Sequence, residues 1–171
     1  TDGKTTVIYE YRKLSNVTAK YIDENYGTEI VADVVTEHKE GDAYTTEEKT
    51  FDGYQLTSKT DNTVGTVARE DIVVEYRYKK ISEGVEVQYK DQVTGEIIKT
   101  ETIEGLEKDG YTTEPEEIPG YELVVTPDNT DGEMTVDKIT VIYEYRKVSN
   151  VTAKYIDENY GTEIVADVVT E

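Results

Sequence analysis

The sequence predicts an all-β fold, or an α+β fold with little helix, laid out as tandem small modules. Composition is the first reason. Of 171 residues, 25 are Thr, 21 Val, 15 Tyr and 13 Ile, against 4 Leu and 6 Ala. β-Branched and aromatic side chains suit a pleated, half-buried surface, and the strongest helix formers are scarce. Period is the second reason: apolar residues recur at alternate positions in several stretches, which puts them on one face of a strand. Repetition is the third. Residues 4–37 return at 138–171 with only Thr5/Ile139 and Leu14/Val148 different.

The elements follow in order. Val7, Tyr9 and Tyr11 share one face and predict the last strand of a module. Val17, Ala19 and Tyr21, set against Thr18 and Lys20, predict a first strand. The run DENYG at 23–27 is a hairpin turn, with Gly available for positive φ, and a second strand follows at about 28–36. Thr45 and Glu48 have capping-box spacing, so one helical turn is expected near residue 46. Gly53 marks a bend before a short strand containing Leu56, and Ile72, Val74, Tyr76 and Tyr78 line the buried face of the last strand.

A second set repeats the first. Val85, Val87 and Tyr89 begin it, DQVTG at 91–95 turns it, and a strand is expected at 96–103. Pro115, Pro119 and Pro127 rule out a long helix in its middle. Gly120, Leu123 and then Ile139, Val141, Tyr143 and Tyr145 complete it. YTTE at 44–47 matches YTTE at 111–114, so two diverged units, A and B, alternate inside a longer period. The frame is then 1–14, the C-terminal part of a B-type repeat; 15–80, a complete A; 81–148, a complete B; and 149–171, the N-terminal part of another A. The joints RKLSN, KKISEG and RKVSN are too short for a floppy tether, so an elongated end-to-end array is expected.

Charge and composition exclude several functions. A net charge of −20 opposes nucleic-acid binding and anionic membrane surfaces. No apolar run approaches the ~20 residues of a spanning helix, so membrane insertion is not expected. With no Cys there is no disulfide or thiolate chemistry, and with one His there is little for a catalytic triad or zinc site. The chain is expected not to be an enzyme and to need no cofactor or metal. It reads as an internal piece of a longer protein.

In order along the chain, VTAKYIDENYGTEI, GDAYTTEE, FDGYQL and IVVEYRYKK, then VEVQYKDQVTGEII, DGYTTEPEEIPGYEL and ITVIYEYRK, resemble the mucin-binding-protein (MucBP) repeats of Gram-positive surface proteins. The resemblance covers the whole chain. It implies small β-grasp-like modules in a wall-anchored, extracellular adhesin, with no catalytic residue to carry over. Two functions stay open. One is a structural stalk projecting a binding tip. The other is a multivalent binder whose repeats each hold host mucin, a glycan or another surface protein weakly; repetition serves reach in the first and avidity in the second.

Candidate residues are few. Tyr26 and Tyr160 occupy the A-type turn where B has Thr94, so an exposed ring could stack on a sugar or protein, or fold back on its own hairpin. The strand tyrosines are expected to fill the core with ring area while each hydroxyl reaches its edge. Asp23, Asn25 and Glu29, and likewise Asp128, Asp131 and Glu133, echo calcium-ligand spacing, but turns favour the same residues for conformational reasons. Lys20, Lys154, Asn16 and Asn150 raise a Lys–Asn crosslink; the alternation points Lys20 away from the core, against it. His38 has no counterpart in B and is expected to be structural.

Overall fold

In this computed structural model, residues 3–149 and 151–170 are described. They fold as two units, one of Thr1–Ile81 with Leu106–Lys108, the other of Ser82–Gly105 with Asp109–Glu171.

In the first unit, Leu14–Asp23 (β1) buries Ser15, Val17, Ala19, Tyr21 and Asp23 on one face. It turns into Glu29–Lys39 (β2), which pairs with it antiparallel. Gly27 takes φ +67 in that turn, a conformation that any Cβ would strain. Ala43–Thr45 (β3) pairs with Val64–Thr66 (β5) as a small ribbon. Between them, Tyr54–Lys59 (β4) pairs with the last strand, Ile72–Lys80 (β6). The sheet order is β2-β1-β6-β4, with β1 and β6 parallel at its centre and Tyr21 opposite Tyr76.

That is the order expected of a β-grasp-like sheet. Parallel strands need a long crossover, usually a helix. Here the crossover is extended chain and the β3–β5 ribbon, so the fold is all-β among the described residues.

The second unit repeats the plan. Val85–Asp91 (β7) and Ile97–Ile103 (β8) form the hairpin. Gly110–Thr112 (β9) pairs with Asp131–Glu133 (β11), while Tyr121–Val125 (β10) pairs with Ile139–Lys147 (β12). The order is β10-β12-β7-β8, with β7 and β12 parallel.

Each sheet has its own core of eight buried residues. Val17, Ala19, Tyr21, Tyr44, Val67, Val74, Tyr76 and Tyr78 make the first. Val85, Val87, Tyr89, Tyr111, Met134, Val141, Tyr143 and Tyr145 make the second, position for position. Tyr21 stacks on Tyr76 at 5.4 Å between ring centroids, as Tyr89 does on Tyr143 at 5.8 Å.

The hydroxyls explain why these rings are Tyr and not Phe. Tyr76 shares a 2.8 Å hydrogen bond with Thr46, and Tyr143 one of 2.9 Å with Thr113. Tyr78 donates to the Lys49 carbonyl oxygen at 2.8 Å and accepts from its amide, and Tyr145 does the same with Glu116. The crossover lacks a helix to satisfy its backbone, and the core tyrosines supply those partners.

Two expectations are corrected. The helical turn expected near residue 46 is absent. Thr46 N–H donates to the Thr63 carbonyl oxygen at 2.8 Å, and both backbone groups of Lys49 bond to Tyr78, so tertiary partners take what a helix would have used. The strand expected over Val7, Tyr9 and Tyr11 is not formed either: these side chains are exposed and residues 3–13 carry no strand. Their pattern matches β12, but β12 has β7 and β10 beside it, whereas residues 3–13 have no strand partner among the described residues.

Val151–Ile156 (β13) and Glu163–Thr170 (β14) form a lone two-stranded hairpin. Val151 is 66% exposed where its counterpart Val17 is 1% exposed. An isolated hairpin is marginal in water. Its amides are expected to exchange at least about 100-fold faster than those of β1 and β2, whose sequence is the same. Equal protection, read by hydrogen–deuterium exchange in dilute solution, would contradict this.

Candidate functional site

The A-type turn is built by its first residue. Asp23 is buried; its Oδ1 accepts the Asn25 amide at 3.0 Å and its carbonyl oxygen accepts that of Gly27 at 2.8 Å. Tyr54 donates its hydroxyl to the other carboxylate oxygen at 3.3 Å. Asp91 does the same work in the second unit, where the Thr94 amide, followed by that of Val93, holds its carboxyl below the usual range against the opposing effect of burial.

Tyr26 stands on this turn, 51% exposed. Its phenol donates to Glu107 Oε1 at 2.5 Å, and this bond to a carboxylate is the chief reason its pKa rises above the ordinary value. The Lys108 ammonium lies 4.3 Å from the ring centroid and that of Lys80 5.4 Å. Asn25 donates its side-chain amide to the Glu107 carbonyl oxygen at 2.9 Å. Glu107 is only 8% exposed, and its amide donates to the Lys80 carbonyl oxygen at 2.8 Å. Leu106 bridges Ile81. Tyr26 is therefore engaged within the first unit, whereas Tyr160 on the identical turn is 81% exposed.

Glu107 and Lys108 were not singled out by sequence reasoning. The contact spans 81 residues, beyond any local pattern. One signal stood in the sequence: the 67-residue shift sets Lys108 where the A repeat has Gly41, and the fold holds both at positive φ, +65 and +92. A residue with a Cβ held where the other repeat uses Gly is a mark of a specific demand.

The remaining candidates are spent on structure. Lys20 Nζ lies 2.9 Å from Asp33 and 3.6 Å from Glu29, and that partnership raises its pKa; no Lys–Asn pair is formed there. Asn150 lies outside the described residues. Glu29 is thus a partner of Lys20 and Asp23 a turn cap. Among the described residues no three His, Asp or Glu are placed to hold a metal ion. His38 Nε2 shares a 2.9 Å hydrogen bond with Thr36 Oγ1.

Clefts lie at matched places in the two units. In the first, an open cleft of about 270 Å³ lies beside Tyr21, Val34, Glu47 and Lys49. In the second, about 380 Å³ lies beside Tyr89, Glu101, Ile103 and Glu114. A further cleft of about 500 Å³ runs along Pro115–Pro119 and Tyr121. Carboxylates on the rims disfavour anionic ligands.

A family profile described as MucBP domain matches residues 16–79 and again residues 84–146. The chain belongs to the MucBP domain family. These MucBP repeats are of the kind carried by surface adhesins of Gram-positive bacteria. Internalin J of Listeria monocytogenes serotype 4b (strain F2365) is 34% identical over 169 residues, covering 92% of this chain and 18% of that protein. Internalin J of Listeria monocytogenes serovar 1/2a (strain ATCC BAA-679 / EGD-e) is 33% identical over 174 residues, covering 95% and 20%. The chain thus spans about a fifth of the length of these relatives. Among solved structures, Streptococcal High Identity Repeats in Tandem (SHIRT) domains 3-4 from cell surface protein align at 15% identity with a TM-score of 0.32, covering 78% of this chain and 98% of that one.

Proposed function

We propose that these MucBP repeats are structural stalk modules of an extracellular, cell-wall-anchored adhesin, projecting a binding tip from a Gram-positive surface. The frame is a complete A repeat at 15–80 and a complete B at 81–148, flanked by parts of a B at 1–14 and an A at 149–171. The observation that carries this reading is duplication of a self-sufficient sheet. Both units keep the same eight-residue core and the same hydroxyl ties, so the features they share hold the fold together. The net charge of −20 keeps such an array soluble. The partners are neighbouring repeats, and the chain works without a cofactor or turnover.

A second reading has two observations behind it. The matched clefts beside Tyr21 and Tyr89 recur once per repeat, as a weak multivalent mucin or glycan binder requires, and Tyr160 offers an open ring. Copy number separates the two. Mucin and glycan-array binding is measured for one A–B pair and for three. The stalk reading expects no binding by either. Apparent affinity that climbs steeply with copy number, and falls on Tyr26→Ala with its equivalents, would refute it.

A further inference from the structure

The A-type turn and the Leu106–Lys108 segment fit one another as socket and plug. The socket offers a carboxamide donor at Asn25, a phenol donor at Tyr26 and the Lys80 carbonyl oxygen. The plug answers with the Glu107 carbonyl oxygen, the Glu107 carboxylate and the Glu107 amide, and Lys108 covers the Tyr26 ring. Burying a carboxylate to 8% exposure is costly unless donors meet it; Tyr26 meets Oε1, while Oε2 is buried without a hydrogen-bond partner.

The backbone bond recurs in both repeat types, since the Glu40 amide donates to the Lys13 carbonyl oxygen at 3.0 Å as Glu107 does to Lys80, but the side-chain contacts differ between them. The B-type turn has Val93 and Thr94 where A has Asn25 and Tyr26, and its Gln92 side chain is committed to Glu144 and Arg146 of its own sheet. In the A repeat the counterpart of Glu107 and Lys108 is Glu40 and Gly41. Glu40 pairs instead with Arg69 at 3.0 Å, and Gly41 has no side chain to lay over a ring. An A-type segment therefore keeps the Glu but has its carboxylate engaged by Arg69 and has no ammonium to lay over a ring.

We propose that the Asn–Tyr turn of each A-type repeat is a docking site for the Leu-Glu-Lys segment of a B-type repeat, and that the turn at Asp157–Gly161 takes that segment from a further B-type repeat. The occupant follows from the fold: the turn is identical in sequence to Asp23–Gly27, Tyr160 is 81% exposed, and the segment held on Asp23–Gly27 is Leu106–Lys108. Heterotypic docking accounts for strict A–B alternation, which a stalk of identical repeats would not need. The inference deepens the stalk reading and can fail separately from it.

The test uses hydrogen–deuterium exchange in two chains. In the 171-residue chain, Asn25→Ala with Tyr26→Ala should speed exchange of the Glu107 amide at least tenfold, with β1, β6, β7 and β12 unchanged within twofold. The second chain carries a copy of residues 38–148 after Glu171, which completes the second A repeat and adds a B. There the copied Glu107 amide should be as slow as Glu107 itself, and Asn159→Ala with Tyr160→Ala should speed it at least tenfold. An unchanged Glu107 amide in the first chain, or a copied amide indifferent to the Asn159 and Tyr160 changes, overturns the proposal. Neither outcome touches the mucin-binding result, so the stalk reading stands or falls on its own experiment.

Discussion

Tyr143→Ala is expected to melt the second sheet. The ring is fully buried, stacks on Tyr89 and shares its hydroxyl with Thr113, and the core around it has only seven other members. Removing a buried aromatic ring costs about 3–5 kcal/mol in transfer and cavity energy. A module of this size carries little stability in reserve, so the midpoint of unfolding should drop by more than about 15 °C. Tyr143→Phe keeps the ring and removes the bond to Thr113, and should cost about 1 kcal/mol, or about 4–8 °C. Tyr76→Ala and Tyr76→Phe should repeat the pair of values in the first sheet, where Thr46 takes the place of Thr113. Thermal melts with exchange at β12 and β6 check both. A Tyr→Phe change as damaging as Tyr→Ala would mean the hydroxyl ties, rather than ring burial, dominate.

Alkaline unfolding should be the second large effect. Tyr89 is pushed up to about 12, first by burial and then by the Glu101 and Glu116 carboxylates, with Lys99 opposing. Burial also raises Tyr21, Tyr78 and Tyr145. An unfolded tyrosine titrates near 10. Between about pH 10 and 12 the folded state holds more protons than the unfolded one, so stability is full below that window and falls as pH rises through it. Tyr89 alone accounts for on the order of 2 kcal/mol of that loss. Tyrosinate absorbance and circular dichroism should show cooperative unfolding in this window, with a shallower slope for Tyr89→Phe. Stability that stays flat to pH 12 would contradict the burial of these hydroxyls.

Much of the sheet was legible from alternation. Ile72, Val74, Tyr76 and Tyr78, and likewise Val85, Val87 and Tyr89, sit on inward faces because side-chain period and burial are the same fact in a one-sided sheet. The turns at Asp23 and Asp91 were legible because Asp caps them and Gly accepts positive φ locally.

Long-range partners were what local patterns missed. Thr45 and Glu48 have the spacing of a helix start, yet about 30 residues away Tyr78 captures the Lys49 backbone and Tyr76 the Thr46 hydroxyl. Residues 7–11 have the β12 pattern and, among the described residues, no strand beside them, so period alone did not make a strand. Tyr26 was flagged by its difference from Thr94, and only the fold reveals Glu107 and Lys108 against it. That pairing also changes how the A-type turn reads, because a ring held by a carboxylate and two ammonium groups is less available to a sugar.

Small-angle scattering on chains with one, two and three A–B pairs tests the stalk most directly. Each added pair of 134 residues should raise the maximum dimension by the same increment, with the cross-section constant. A maximum dimension that grows only as roughly the 0.38 power of chain length, as a merged globule would, contradicts the account.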